Sequence, residues 1–132
     1  MAKLKTFAYM CIGFAMSLIT SKMMNVEQST IAIISLPFIG LLHEMLHFMV
    51  INAVKAQYKF VMKGLYIGFN VSVERIEDFI AIALAPQAIS LFLAILYMFT
   101  YSSVLLALML IHIAISLEDL HKSIKYARQV LY

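Results

Sequence analysis

Apolar residues run along this chain in long, nearly unbroken stretches, and the few charged residues gather at their ends. A helix needs about 20 mainly apolar residues to cross a bilayer, with a range of roughly 17–25. Four stretches approach or reach that length, predicting helices over about 4–20, 30–54, 79–101 and 102–119. Lys3 and Lys5 precede the first, as in the basic region of a signal peptide, but no small-x-small cleavage site follows. It is expected to stay as a helix. The second is long enough to span with tilt and carries His43, Glu44 and His47 near its middle. Pro86 interrupts the third, where a missing N–H and a ring clash predict a kink or local opening. The fourth is the shortest and runs straight into Glu118 and Asp119.

Between the second and third stretches the period changes. Phe69, Val71 and Val73 alternate with Asn70 and Ser72, and Gly64 and Gly68 supply points where a chain can turn or bulge. A short β-hairpin or strand is expected over residues 58–73. The C-terminal segment from Ile124 to Tyr132 follows Lys122 and includes Lys125 and Arg128, and is expected to lie at the membrane surface. With no internal repeat, low-complexity tract or linker, the pattern predicts one membrane-embedded domain over residues 1–132. Its fold class is an all-α membrane protein of four transmembrane helices, with a β-hairpin or strand between the second and third.

Composition agrees with a lipid environment: 64% of residues are apolar and 13% charged, against about 25% charged in a soluble domain. The formal net charge of +3 is not organised as a basic stripe with interleaved aromatics, which excludes nucleic acid as the partner. Cys11 is the single cysteine, so neither an intramolecular disulfide nor a cysteine-based metal cluster is available. The basic residues read instead as topology signals. Lys3, Lys5, Lys55, Lys59, Lys63, Arg75, Lys122, Lys125 and Arg128 fall on one side of the predicted spans and Lys22 alone on the other. The positive-inside rule then makes both termini and the strand region cytosolic in a multi-pass cell-membrane protein. His47 and His43 come to lie roughly 10–16 Å inside the cytosolic face.

The chemistry-bearing motif is His43-Glu44-Met45-Leu46-His47. Histidines at i and i+4 project from one helix face and can share a zinc ion, while the glutamate between them can reach an attacking water as general base. Ionisable groups at this depth in hydrocarbon are costly to bury and point to function. A catalytic zinc site takes three protein ligands, and the remaining candidates cluster on the fourth stretch: His112, Glu118 and Asp119. His112 and Asp119 are seven apart and are expected to fall on nearly one helical face, with Ser116 between them, and Glu118 lies about 100° away, toward the interface. Asp119 has the depth and the carboxylate suited to a third ligand. His112, deeper, suits a supporting donor or an oxyanion partner, and Gln87 beside Pro86 could donate to a substrate backbone.

These residues resemble those of intramembrane zinc metalloproteases of the site-2 protease type, and in particular the small zincin-type membrane peptidases. The resemblance rests on His43-Glu44-x-x-His47, on Leu84-Ala85-Pro86 and on Asp119, and covers roughly residues 35–128. It implies His43, His47 and Asp119 as ligands of one zinc ion and Glu44 as catalytic acid/base. It also implies a docking edge for an unwound substrate in the strand region, around Asn70. Site-2 proteases usually carry Asp-Gly in the last ligand motif, whereas Leu120 follows Asp119 here. The expected function is zinc-dependent endopeptidase cleavage of membrane proteins or peptides. The alternative is a non-enzymatic metal or proton transporter or sensor built on the same cluster; polar groups concentrated in one half of the bilayer favour the peptidase.

Overall fold

A computed structural model of the chain describes residues 12, 15, 16, 18–20, 22–63 and 66–130. Most of the first expected helix, over 4–20, lies outside the described residues, as do Cys11, Gly64 and the chain's last two residues.

Helix α1 spans Val26–Ala53. It begins four residues before the apolar run expected at residue 30, because Asn25 and Gln28 close a capping box. The Gln28 N–H donates to Asn25 Oδ1 at 2.8 Å and the Asn25 N–H donates to Gln28 Oε1 at 3.1 Å. Pro37 sits inside α1 without ending it. The helix stops in a Schellman arrangement: the Ala56 N–H donates to the Ile51 carbonyl at 3.0 Å and the Lys55 N–H to the Asn52 carbonyl at 3.1 Å. Lys55 takes the left-handed position, φ 55°, where glycine is usual.

The expected hairpin is present. Strands β1 (Gln57–Lys63) and β2 (Tyr66–Ser72) pair antiparallel, with Tyr58 opposite Val71, Phe60 opposite Phe69 and Val61 opposite Gly68. The two-residue period puts Tyr58, Phe60, Phe69 and Val71 on one face. That face is rooted on α1 by Phe48, whose ring lies 5.6 Å from Tyr58 and 5.7 Å from Phe69, centroid to centroid.

Two helices replace the third expected one: α2 (Ile76–Leu84) and α3 (Gln87–Thr100), broken at Ala85 and Pro86 as the proline predicts. Helix α4 (Ser103–Ile115) follows after Tyr101 and Ser102. Tyr101 caps α3 in the left-handed region, φ 52°, its N–H donating to the Tyr97 carbonyl at 2.8 Å.

The fourth expected helix requires a correction. It ends at Ile115, and Leu117–Val130 form a separate helix, α5, after a bend of 46°. At the break both the Ser116 N–H, at 3.0 Å, and Ser116 Oγ, at 2.9 Å, donate to the His112 carbonyl; a serine bonding back to residue i−4 bends helices. Asp119 therefore does not end a helix that carries His112. It lies in the first turn of the next one.

The chain divides into two compact units. One takes residues 1–39 and 87–118. In it α3 and α4 pack together around Ile89, Leu93, Ala107 and Leu108, and buried His112 and Ser90 share a hydrogen bond of 2.7 Å between Nδ1 and Oγ. The other takes residues 40–86 and 119–132: the second half of α1, the hairpin, α2 and α5 from Asp119 onward. Its buried residues include Ile51, Ile82, Ala83 and His43.

Among the described residues, Val26–Ala53 and Ile76–Thr100 are each long and apolar enough to cross a membrane. Ser103–Ile115 with Leu117–Lys125 would make a third span if the bent pair counts as one. Two or three candidate spans thus stand among the described residues where four are expected for the chain, and the first of the four, over 4–20, lies mostly outside the described residues. Much of this surface is apolar and outward: Phe38 on α1 is 70% exposed and Phe99 on α3 82%. Such a surface is costly in water and would be accommodated by lipid, which suggests membrane association.

Candidate metal centre

The His43–His47 segment of α1 inverts the polarity of a soluble helix. His43 is buried and His47 nearly so, while Leu41, Leu42, Met45 and Met49 are exposed on the remaining circumference. The i, i+4 spacing stacks the two imidazoles one turn apart, edge to face, with ring centroids at 4.8 Å.

Asp119 comes to the histidines from the first turn of α5, where a carboxylate is favoured by the partial positive charge of a helix N-terminus. Its Oδ2 lies 3.3 Å from His43 Nε2 and 3.4 Å from His47 Nε2, and the two Nε2 atoms are 3.2 Å apart. The three atoms form a nearly equilateral triangle. Ligand bonds of about 2.0–2.1 Å at tetrahedral angles put neighbouring ligand atoms about 3.3–3.4 Å apart, so the spacing fits zinc.

The protonation pattern points the same way. His47 Nδ1 lies 2.8 Å from the Ile82 carbonyl on α2, which can only accept, so Nδ1 carries a proton. In the neutral imidazole, Nε2 then presents its lone pair to the carboxylate and to His43. A carboxylate and an imidazole lone pair this close are satisfied by a cation or by a proton between them, and the spacing of the three atoms suits the cation. A contact from the far nitrogen of a ligand histidine to a backbone carbonyl is also the usual way its ring is held for a metal. The motif does not reveal Ile82, because that contact depends on how α2 packs on α1.

Glu44 stands beside the triangle and outside it. Its half-buried carboxyl has His43, His47 and Asp119 as electrostatic neighbours. Side-chain exposures of 5% at His43, 12% at His47 and 21% at Asp119 leave the cluster largely enclosed and most accessible at the carboxylate.

The other residues singled out from sequence stand elsewhere. Asn70 is exposed on β2, in register with Lys59, outside the cluster. His112 is bonded to Ser90 in the unit formed by residues 1–39 and 87–118. Gln87, in that same unit, has a buried side-chain nitrogen with no hydrogen-bond partner among the described residues. Glu118 is exposed.

A family model described as "Putative zincin peptidase" covers residues 36–129, which include the motif on α1, the hairpin, the break at Pro86 and Asp119. No curated protein and no solved structure matches the chain.

Proposed function

Because the chain belongs to the putative zincin peptidase family, we propose that it is a zinc-dependent endopeptidase of the site-2 protease type, cleaving membrane-spanning or membrane-associated polypeptides inside the bilayer. The observation that carries the intramembrane reading is the inverted polarity of α1, with histidines buried and Leu41, Leu42, Met45 and Met49 turned outward. In a soluble peptidase the remaining circumference of the motif helix would be polar or packed within protein.

His43 and His47 through Nε2, and Asp119 through Oδ2, would hold one zinc ion. When bound, zinc supplies Lewis acidity that polarises water and a peptide carbonyl. Glu44 takes the proton from the attacking water and delivers it to the leaving amine. Substrate presents a separate difficulty, since a transmembrane helix hides its carbonyls in i to i−4 bonds and must be unwound locally. The two-stranded sheet offers an outer edge on β2, near Asn70, where an extended substrate segment can pair by strand addition. His112 and Gln87 are proposed as supporting or substrate-binding groups. By the positive-inside rule the site faces the cytosolic half, with both termini cytosolic and residues 4–20 as a further span.

The test is Glu44→Gln in purified protein reconstituted with a membrane-spanning reporter polypeptide. The amide keeps the volume and cannot shuttle a proton, so turnover should fall by roughly 10²–10⁴-fold while zinc stays bound. Near-parental turnover overturns the peptidase mechanism and favours a protein that carries or senses metal or protons.

A further inference from the structure

The hydrogen bond from His47 to Ile82 raises a question of supply. Inside an α-helix the Ile82 carbonyl would accept the N–H of residue 86, four positions on. Residue 86 is proline and has no N–H to give. The preceding bond of the series is made, the Ala85 N–H donating to the Ala81 carbonyl at 3.0 Å, so the ladder is intact up to the position where the donor disappears. The carbonyl released is the one that His47 Nδ1 reaches at 2.8 Å. Ile82 and Pro86 are both buried, where an orphaned carbonyl must find a donor in the protein.

We propose that Pro86 is a positioning residue for the metal centre: by withholding a backbone N–H it leaves the Ile82 carbonyl to the Nδ1–H of His47, which fixes that imidazole with Nε2 toward Asp119 and His43. The break between α2 and α3 thereby acquires a chemical role besides its geometric one. Any residue with an N–H at position 86 offers the carbonyl its helical partner and puts it in competition with the imidazole. The zinc-affinity part of this proposal rests on the metal reading above. The tautomer part does not.

The experiment compares the parent with Pro86→Ala and with a chain carrying lactic acid at position 86, an ester that lacks both the ring and the N–H. Two readouts are taken on full-length protein in detergent. In zinc-free samples labelled with ¹⁵N-histidine, with the imidazoles neutral, the parent should show His47 protonated on Nδ1 alone. Pro86→Ala should show a mixture of tautomers, and the ester should restore the parental signal. Zinc affinity, measured by competition with a chelator, should fall 10–100-fold in Pro86→Ala and return in the ester. Parental tautomer and affinity in Pro86→Ala overturn the proposal. So does equal loss in the alanine and ester chains, which would assign the effect to the ring. Should Pro86→Ala fail to fold, the ester decides alone, because it must keep the parental His47 signal. A parent that binds no zinc refutes the metal reading and leaves the tautomer comparison standing.

Discussion

Removal of Asp119 tests the metal centre most directly. Asp119→Ala leaves two Nε2 atoms 3.2 Å apart with nothing opposite them, since Oδ2 is the third corner of the triangle at 3.3 and 3.4 Å. Groups that only support a ligand cost about 10–100-fold in metal affinity, or about 1.4–2.7 kcal/mol. Loss of a ligand must exceed that, so the dissociation constant for zinc should rise more than about 100-fold. Asp119→Asn keeps an oxygen in place without the charge and should fall between alanine and the parent. Glu118→Ala, one residue back and exposed, should leave zinc binding unchanged. His112→Ala removes a fully buried ring bonded to Ser90 and should lower stability, leaving the zinc affinity of the folded fraction near the parental value. The assay is competition against a fluorescent chelator in detergent, with thermal unfolding recorded on the same samples. If Asp119→Ala stays within tenfold of the parent while Glu118→Ala or His112→Ala loses zinc, the third ligand is misassigned.

Two further outcomes follow from the fold. Lys55→Gly relieves a side chain at φ 55°, where a non-glycine residue costs about 1–2 kcal/mol, and should stabilise the protein by up to about 1 kcal/mol; a lower unfolding temperature would contradict the account of how α1 ends. A proline at Asn70 disturbs the β2 edge and should slow cleavage of a membrane-spanning substrate more than that of a short soluble peptide, and equal slowing would argue against strand addition.

The parts of this architecture that depend on local chemistry were readable from sequence. His43-Glu44-x-x-His47 announces two imidazoles on one helix turn, alternation at Phe69 to Val73 announces a strand, and Pro86 announces a break. The start of α1 was also written locally, in the Asn25–Gln28 pair, but the apolar run drew attention to residue 30 instead. The bend after Ile115 is not legible in the sequence, because neither glycine nor proline marks it, and the bond of Ser116 Oγ to the His112 carbonyl at the break is one that Ser35 and Ser123 also make inside unbroken helices. A shared helical face for His112 and Asp119 requires an unbroken helix through Ser116. That helix does not exist, and Asp119 meets the histidines for a different reason, the start of a new helix. Ile82 shows a further limit: a backbone acceptor has no side-chain signature, and its only trace in the sequence is a proline four residues later.

The unit that holds the cluster is assembled from two separate stretches of chain, 40–86 and 119–132. With His47 and Asp119 as ligands of one ion, those stretches become the two ends of a closed loop of roughly seventy residues. The unfolded chain holds those ends apart and offers the ion no preformed site, so the ion binds the folded state alone. Ion occupancy and folding then share one equilibrium, in which free zinc at a hundred times its dissociation constant adds about 2.7 kcal/mol to the folded state. Chelation acts on the tertiary structure of such a protein as well as on its chemistry.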